Sequence, residues 1–474
     1  YTSDEQAAST YEKIWTSLRS GASLRLCFNS SGKLEYIYMP SRTASVSDDN
    51  VLVAKNKPTG SNNPFASLSG GKTPAQIYKN GIPAELSDLR QYDVGTYDKS
   101  SDTLFVSDLK LSGLYENAYP NAAAPSTVTV MGAKLTVLPS AQADLAAFKV
   151  GDKVTLLLTT TGQVAGAVSP DVAKSNAVGV AEVKGTMATI KLLDGILPLE
   201  GKTTYSEAAA AKLNGCLVTV SSYKRDYLTL SKVNGKGAST ALNLTTNRMG
   251  TKELSAGARF FEQVSNGRLV EIDRSDITIT SIPANKITYV GYDWAGRVDK
   301  LVLNDVTGDR YDYGIIHYQP AGYQETPGNP NGNGEYKNGE ISVTNGSFPK
   351  GMTPYVVGSV DGAKTNRMGG VAGSLDQLDG QNRMAAFMPL NEAKGIRRAQ
   401  FDTDAMLLTT NSMVIPISDA VECYNKTTGD WFKPGEDGDH KATLNLALAF
   451  SDDITVYYDR SPEEGGKVRI VVVE

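Results

Sequence analysis

One short pattern occurs five times in this sequence: a strand-like run, a polar turn, a glycine, a long polar residue, and a branched aliphatic residue that begins a second run. Glycine reverses the chain without the steric cost of a side chain, the polar residue faces water, and the branched residue restarts the buried face. The pattern predicts five β-hairpins of one design and therefore a chain of repeated β units. The glycines are Gly32, Gly162, Gly267, Gly296 and Gly466.

Two longer segments repeat one order of elements. Residues 107–168 read as three strands, a short alanine-rich helix (Gln142 to Phe148) and a hairpin, and residues 178–233 repeat that order with a helix at Ser206 to Leu213. A sheet of this size must curl or be plugged to bury its apolar face. We therefore expect a mainly β chain of tandem small β-barrel, β-roll or sandwich domains with a few short helices.

The predicted organisation has six segments, because a chain of 474 residues exceeds the size at which one core stops growing. Leu254 to Phe261 resembles Ile417 to Tyr424, and each runs through a polar turn to a glycine, so we hypothesise a shared ancestry for these two regions. The segments are 1–106 (an N-terminal helix with an apolar stripe over residues 7–18, plus a β-hairpin domain), 107–172 and 173–236 (two copies of a β module), 237–320 (a β domain with two hairpins), 321–340 (a Gly/Pro/Asn-rich linker or loop) and 341–474 (a C-terminal β domain).

Charge and hydropathy exclude several classes of partner. A net charge of -5, with no block of like charges, does not favour nucleic acid or anionic lipid. No window approaches the roughly 18 consecutive apolar residues of a membrane span. The chain begins at Tyr1 without signal-peptide features, so we expect that a signal peptide or a larger upstream segment has been removed from an exported protein. The cysteines form no CxxC and are predicted to be small apolar core residues: Cys27, Cys216 and Cys423.

The sequence offers little material for catalysis. Its two histidines, His317 and His440, are predicted to lie on a sheet face and in a charged loop, and there is no P-loop, GxSxG elbow or HExxH motif. We therefore predict a protein that is not an enzyme, with no catalytic or cofactor-binding residues. A polysaccharide hydrolase stays open as an alternative, since 52 acidic residues allow many pairs whose spacing only the fold decides.

Two sets of residues are candidates for binding. Asp305 and Asp309 lie in an acidic loop with glycine, as hard cations such as calcium prefer, and Asp437 and Asp439 form a second such loop. The alternative is that these residues serve turn geometry. Trp294 and Trp431 are placed near hairpin turns, where exposed rings would stack on sugars, and the alternative for them is packing between strands.

Several strand and turn segments carry a resemblance to a known group of proteins. They are Phe148 to Leu158 with Gly162 to Gly166, Tyr92 to Val94 with Thr103 to Val106, and Tyr457 to Asp459 with Gly466 to Val468. In these segments the chain resembles the repetitive extracellular regions of clostridial and related Gram-positive proteins that carry S-layer homology domains. The resemblance implies export, anchoring to cell-wall polysaccharide and a structural or adhesive role. The chain has no S-layer homology module itself, so we expect any wall anchor to lie outside it.

The leading hypothesis is a structural cell-surface protein, extracellular and without a membrane span, that self-associates into an S-layer-like sheet or a filament. Its partners would be further copies of itself and cell-wall polysaccharide, without nucleic acid. The alternative is a carbohydrate-binding or adhesin protein displayed on the cell wall, which the 23 tyrosines favour. No cofactor other than calcium is considered.

Overall fold

The computed structural model confirms a mainly β chain with a few short helices. It describes residues 25–28, 34–38, 46–58, 62–175, 177–195, 198–233, 238–265, 267–319, 322–325, 334–337, 339–347, 355–357, 366–374, 383–434 and 438–474. The predicted N-terminal helix, Gly32 and the side chain of Cys27 lie outside the described parts. Strands β1 (Arg25–Phe28) and β2 (Leu34–Tyr38) form the first predicted hairpin. No helix in the described ranges is long and apolar enough to cross a membrane.

Residues 46–107 form the N-terminal sheet unit. Its order is β3-β6-β7-β4-β5, in which β4 and β7 run parallel and the other neighbours antiparallel. Short 3-10 helices at Asp48–Asn50 and Leu86–Asp88 connect the strands. The strands are β3 (Val51–Val53), β4 (Gln76–Lys79), β5 (Ile82–Pro83), β6 (Val94–Asp98) and β7 (Thr103–Ser107).

The next two units are paired in the same way, and we call them the first and second barrels. In each, the first strand pairs with the second and the fourth, the second with the third, and the fourth with the fifth. A parallel contact from the third strand to the fifth closes the ring, through Val137 and Val164 in the first barrel and through Lys202 and Thr203 in the second. The short helices α1 and α2 stand at the same place in the two units, between the third and fourth strands.

The first barrel contains β8 (Lys110–Tyr119), β9 (Thr127–Val130), β10 (Ala133–Thr136), a 3-10 turn (Pro139–Ala141), α1 (Gln142–Leu145), β11 (Lys153–Leu158) and β12 (Val164–Val168). The second contains β13 (Ala177–Lys184), β14 (Met187–Leu192), β15 (Leu199–Thr203), α2 (Glu207–Ala211), β16 (Leu217–Lys224) and β17 (Tyr227–Lys232). One apolar core runs through both barrels, from Leu111 and Leu156 to Ile190 and Leu228. The two barrels therefore share a core.

Residues 238–304 form the middle sheet unit, of order β22-β18-β19-β20-β24-β23 with β21 attached to β20. Its 3-10 helices are Arg274–Asp276 and Ala284–Lys286. A second apolar cluster, which includes Leu193 and Leu217 of the second barrel and Phe261 and Val302 of this unit, joins the two. The strands are β18 (Leu242–Asn243), β19 (Arg248–Met249), β20 (Lys252–Gln263), β21 (Val270–Ile272), β22 (Ser281–Ile282), β23 (Ile287–Tyr292) and β24 (Val298–Asn304).

A third barrel follows, and it crosses the predicted boundaries at 320 and 340. Its strand pairing matches that of the first two barrels, with a hairpin of β26 (Gly322–Glu325) and β27 (Gly334–Lys337) inserted after the first strand. The segment predicted as a linker or loop therefore holds a strand pair, and the strands on either side of it are neighbours. The ring consists of β25 (Asp312–Gln319), β28 (Gly339–Thr344), β29 (Tyr355–Val357), β30 (Arg367–Ser374) and β31 (Arg383–Pro389).

Residues 391–474 form the C-terminal sheet unit, of order β32-β37-β38-β35-β34-β33 with β36 attached to β35. Two 3-10 helices, Arg398–Gln400 and Pro462–Glu464, and one longer helix, α3 (His440–Phe450), complete it. The strands are β32 (Asn391–Ile396), β33 (Phe401–Asp402), β34 (Leu407–Thr409), β35 (Val414–Asn425), β36 (Asp430–Phe432), β37 (Ile454–Tyr458) and β38 (Val468–Val473).

The middle and C-terminal sheet units share an irregularity that the sequence similarity pointed to. Both β20 and β35 are 12 residues long and pair in parallel with the last strand of their unit. The register shifts between Leu254 and Arg259 in one and between Ile417 and Glu422 in the other, which are equivalent positions of the two similar segments. A β-bulge retained at one position in two units is a feature of the fold and not a defect.

All five predicted hairpins are present, but their glycines do not act in one way. Gly162 and Gly296 have φ of 81° and 77°, as predicted for chain reversal. At Gly466 the positive φ belongs to its neighbour Gly465, and Gly466 is required because a Cβ there would overlap the Arg460 carbonyl. Close backbone approach is thus a second reason for glycine in this pattern.

Candidate functional site

The loop 305–311, which we call the junction loop, connects β24 of the middle sheet unit to β25 of the third barrel. It holds Asp305 and Asp309, the two predicted calcium ligands. Asp305 and Gly308 have φ of 53° and 74°, so the loop turns sharply at both positions. The turn carries both aspartates against β38 and the end of β37 in the C-terminal sheet unit, where three units meet.

Arg469 of β38 lies at the centre of this junction and is 2% exposed. Its Nε donates to Asp459 Oδ2 at 2.8 Å, and its Nη2 forms an ion pair with the same oxygen at 2.7 Å. Its Nη1 donates to Asp309 Oδ1 at 2.5 Å and to Ser418 Oγ at 3.1 Å. Nη2 also donates to the Thr307 carbonyl at 2.6 Å. The guanidinium thus ties the C-terminal sheet unit to the junction loop through ion pairs and a backbone contact.

Two further basic side chains complete the cluster. Lys467 Nζ lies 2.8 Å from Asp309 Oδ2, and Arg460 Nη1 donates to the Val306 carbonyl at 2.7 Å while its Nη2 pairs with Asp305. At its edge, Lys286 Nζ also lies 3.6 Å from Asp305 Oδ2. The central cluster consists of Arg460, Lys467, Arg469, Asp305, Asp309 and Asp459. We call it the charge clasp.

The clasp keeps Asp309 ionised although the carboxylate is buried. Burial acts to raise the pKa of Asp309, but the positive charges of Arg469 and Lys467 outweigh it and hold the pKa below the ordinary value of 3.8. A buried charge is tolerated only when it is paired and hydrogen-bonded, as it is here. The arrangement fixes the position of the units and leaves the carboxylates engaged with basic side chains.

This geometry bears on the calcium prediction. Asp305 and Asp309 both belong to the charge clasp, where basic side chains pair with both carboxylates. Within the described parts of the chain, no three His, Cys, Asp or Glu side chains gather as a metal site requires. In the other acidic loop, Asp439 Oδ1 accepts from Ala442 N at 3.0 Å and caps α3, while Asp437 lies outside the described residues.

Two buried glutamates each hold a loop. Glu262 of β20 accepts from the Thr307 backbone at 2.8 Å and from the Thr307 hydroxyl. Glu422 of β35 accepts from Gly346 N at 3.1 Å and from the Ser347 hydroxyl. Burial raises the pKa of both carboxyls.

The two predicted sugar-stacking tryptophans are partly buried packing residues. Trp294 lies between two cations, with its ring centroid 5.5 Å from Lys79 Nζ and 4.9 Å from the Arg297 guanidinium, and its Nε1 donates to the Lys79 carbonyl at 3.1 Å. It thereby joins the middle and N-terminal sheet units. The Trp431 ring packs on Tyr424 with centroids 4.9 Å apart.

Of the two histidines, one lies where the sequence predicted it and one does not. His317 is in β25, as expected, with Nε2 2.9 Å from Thr344 Oγ1. His440 was predicted in a loop, but it is the first residue of α3 and is 8% exposed, with Nδ1 3.0 Å from the Val421 carbonyl. The loop prediction was wrong because Asp439 caps a helix whose apolar spacing follows directly.

The cysteine prediction is confirmed for the two residues whose side chains are described. Cys216 and Cys423 are both buried. Burial raises the pKa of the Cys423 thiol far above its ordinary value. A buried thiol with a raised pKa is chemically inert, so Cys423 serves packing.

Separately from the clasp, a cleft of about 470 Å³ lies where the N-terminal sheet unit meets the first barrel. Lys55 Nζ and Asp144 Oδ1 pair across it at 2.6 Å. Its other described lining residues are aliphatic, proline, serine, lysine and asparagine. The cleft therefore lacks the aromatic platform on which sugar rings usually stack.

The sequence analysis missed four members of the clasp: Asp459, Arg460, Lys467 and Arg469. Two of them, Lys467 and Arg469, lie in or beside the second strand of the hairpin predicted at Gly466, and that hairpin is present as β37 and β38. The available signal was the alternation of basic and aliphatic residues at positions 467–470, which is unusual in a strand that is buried along its whole length.

Comparison with known proteins adds no relative. No protein-family model, curated protein or solved structure matches the chain.

Replacing one carboxylate of the clasp tests its contribution to stability. We expect Asp309→Asn to lower the free energy of unfolding by about 3–5 kcal/mol, because Arg469 and Lys467 lose their partner in a buried site. The control is Asp404→Asn, since Asp404 is 98% exposed and pairs with Lys441 at the surface, where a loss of about 0–1 kcal/mol is expected. Urea unfolding measures both, and equal losses would contradict the assignment.

Gly308 offers a second test of packing at the same junction. Its φ is +74°, and a Cβ there would overlap Asp459 Oδ2 and Arg469 Nη2. Gly162 has a similar φ of +81° but no atom within 4 Å. Gly162→Ala should therefore cost about 1–2 kcal/mol from backbone strain alone, and Gly308→Ala should cost clearly more. A smaller loss for Gly308→Ala in thermal or urea unfolding would show that the clasp tolerates displacement.

The raised pKa values of Glu262 and Glu422 predict a pH dependence. A carboxyl whose pKa is raised above 4.5 in the folded protein contributes stability that is full below 4.5 and is lost as the pH rises through the folded value. Asp309 acts in the opposite sense, but only below pH 3.8. We therefore expect a higher urea midpoint at about pH 5 than at about pH 8.

The matched variants separate these buried groups from other carboxylates. Glu262→Gln mimics the protonated form of this side chain. It should therefore reduce the difference between the urea midpoints measured at the two pH values. Glu392→Gln should leave it unchanged, because the Tyr457 hydroxyl lowers the pKa of Glu392 and places its effect below pH 4.5. A midpoint that rises from pH 5 to pH 8 in the unmodified protein would refute the prediction.

Proposed function

We propose that this protein is a non-enzymatic structural component of the bacterial cell surface, which self-associates into an S-layer-like sheet or a filament. The observation that carries the proposal is the charge clasp, in which a buried arginine, two further cations and three carboxylates lock the C-terminal sheet unit to the junction loop. A rigid connection between domains is what a load-bearing subunit needs. Domains within one chain otherwise move relative to each other by default.

The other unit boundaries support the same proposal. The first and second barrels share one core, the second barrel shares an apolar cluster with the middle sheet unit, and the third barrel packs on the C-terminal sheet unit through Tyr313, Met388 and Ile470. Trp294 links the middle and N-terminal sheet units. Covered boundaries of this kind suit a subunit that transmits force along its length.

Repetition of units is the second line of support. Three barrels have one strand pairing, and the middle and C-terminal sheet units share a long bulged strand. Repetition of a stable unit is an economical way to build an extended object. The resemblance to clostridial S-layer homology proteins supplies the proposed location, which is the extracellular side of a Gram-positive cell wall after secretion, with cell-wall polysaccharide as a further partner.

A carbohydrate-binding or adhesin role is the second candidate, and exposed aromatic rings favour it. Tyr119, Tyr223 and Tyr292 are 65%, 64% and 52% exposed. Exposed rings of this kind are the groups that stack on sugars. Binding to a glycan array that is lost in Tyr223→Ala, with no assembly of the purified protein, would favour this role over the structural one.

The structural role predicts concentration-dependent assembly. Negative-stain electron microscopy of the purified protein, at rising protein concentration with and without calcium, should reveal regular sheets or filaments. Order that disappears on chelation would assign calcium a part in the contact between copies. Separate monomers under every condition would refute self-assembly and favour the displayed binding protein.

A further inference from the structure

The cleft beside the N-terminal sheet unit runs along the edge of that sheet. Among the described strands, β3 pairs with β6 alone and so lies at one edge. Residues 51–58 line the cleft without a gap, whereas a cleft that faced one side of the strand would be lined by every second residue. The cleft therefore opens onto the backbone of β3.

Packing leaves this edge as the open side of β3. The side chains of Val51 and Val53 lie in an apolar cluster with residues of the first barrel. Leu52 points to the other face and packs on the core of the N-terminal sheet unit. Both faces of β3 are therefore covered by the protein itself, and its outer edge borders the cleft.

Hydrogen-bonding groups on that edge are unpaired. Ala54 N donates to the Asp93 carbonyl at 2.9 Å, so the backbone of Ala54 faces β6. Because the direction alternates along a strand, Val51 and Val53 point their backbone groups the other way, toward the cleft. Lys55 N donates to the Val53 carbonyl at 2.9 Å. Val51 N, Val51 O and Val53 N have no partner on that side among the described residues.

The edge also lacks the features that keep such strands unpaired. In the C-terminal sheet unit, β32 has the equivalent place beside β37, and it carries Glu392, Lys394 and a register shift. Charges and bulges on an edge strand prevent pairing with another chain. Strand β3 has the sequence Val-Leu-Val and a regular register. An open apolar edge of this kind is a template for strand addition.

The polar groups in the cleft suit a peptide with a negative charge. Asp144 neutralises Lys55, whereas Lys57 is exposed and forms no ion pair with a described residue. Within the described chain, Asn63 Nδ2 is buried without a hydrogen-bond partner, while Asn63 Oδ1 accepts from Phe65 N at 2.9 Å. An amide donor pairs with a peptide carbonyl, and the free ammonium group pairs with a carboxylate.

We propose that the cleft binds an extended peptide segment of a partner protein, which adds a strand to the outer edge of β3 and places an acidic side chain beside Lys57. Backbone hydrogen bonds supply the affinity of such a contact, and the carboxylate selects acidic sequences. The three residues of β3 match about 10 Å of extended peptide at about 3.3 Å per residue. The cleft volume of about 470 Å³ lies within the roughly 300–1,000 Å³ of ligand pockets. This site does not depend on the proposed self-association.

The first experiment identifies a sequence and measures its binding. A phage library of random hexapeptides is selected on the purified full chain, and the most enriched hexapeptide is synthesised with a fluorescent label. We expect enriched sequences to combine β-branched residues with aspartate or glutamate, and the labelled hexapeptide to bind saturably in fluorescence anisotropy. Selection without a common sequence, or enrichment of basic sequences, would overturn the proposal.

The second experiment tests the backbone contact without changing the protein. The same hexapeptide with its backbone amides N-methylated keeps its side chains but cannot donate to a strand, so its affinity should fall by at least about tenfold. The unmethylated hexapeptide should also slow amide hydrogen exchange in residues 51–53. Equal binding of the two peptides, or protection confined to another segment, would rule out strand addition.

A matched pair of variants tests the charge. Lys57→Glu should weaken binding of the acidic hexapeptide by about tenfold, because repulsion replaces attraction. Lys134→Glu is the control, since Lys134 is exposed on β10 and does not line the cleft. The control should bind like the unmodified protein, and equal affinities of the two variants would overturn the assignment of an acidic partner.

Occupation of the edge by a second copy gives a different result. In that case the hexapeptide would break up assemblies of the unmodified protein, and a separate partner would be refuted. Assemblies that persist at saturating hexapeptide, with binding that requires the peptide N–H groups and Lys57, would establish the proposal. Binding by a protein that stays monomeric would support the peptide site and refute the proposed self-assembly.

Discussion

The buried guanidinium of Arg469 is the constraint on which the junction of the last three units depends. A buried charge without partners would destabilise the fold. The carboxylates that pair with Arg469 come from two places, Asp459 in its own sheet unit and Asp309 in the junction loop. The buried charge of the C-terminal sheet unit therefore has all of its partners only when the junction loop is in position. Since that loop is also the start of the third barrel, formation of one unit is coupled to placement of the next.

Apolar contact holds other boundaries between the units. The first two barrels share one apolar core, and an apolar cluster joins the second barrel to the middle sheet unit. Moving one of these units away from its neighbour would expose part of a shared apolar core. This property is what supports the structural role that we propose.

Local pattern was sufficient to predict much of the fold. The five hairpins followed from the alternation of apolar and polar residues around glycine, and the similarity between Leu254–Phe261 and Ile417–Tyr424 corresponds to one bulged strand in two units. The third barrel was not recognised because an inserted hairpin separates its first two ring strands, and the glycine-rich insertion looks like a linker. Helix α3 was not recognised because a charged, glycine-containing loop precedes it, although Asp439 is a good capping residue.

The sequence by itself determined that this chain is built of short strands and hairpins, because strand periodicity and turn chemistry act over a few residues. Only the tertiary structure decided what its charged and aromatic residues do. Asp309 meets Lys467 and Arg469 across separations of 158 and 160 residues, and Trp294 meets Lys79 across 215. A loop of two aspartates and a glycine can hold either a metal ion from solution or a basic side chain of the same protein. No local sequence pattern distinguishes these two kinds of partner. The distinction follows from which strands become neighbours when the sheets close.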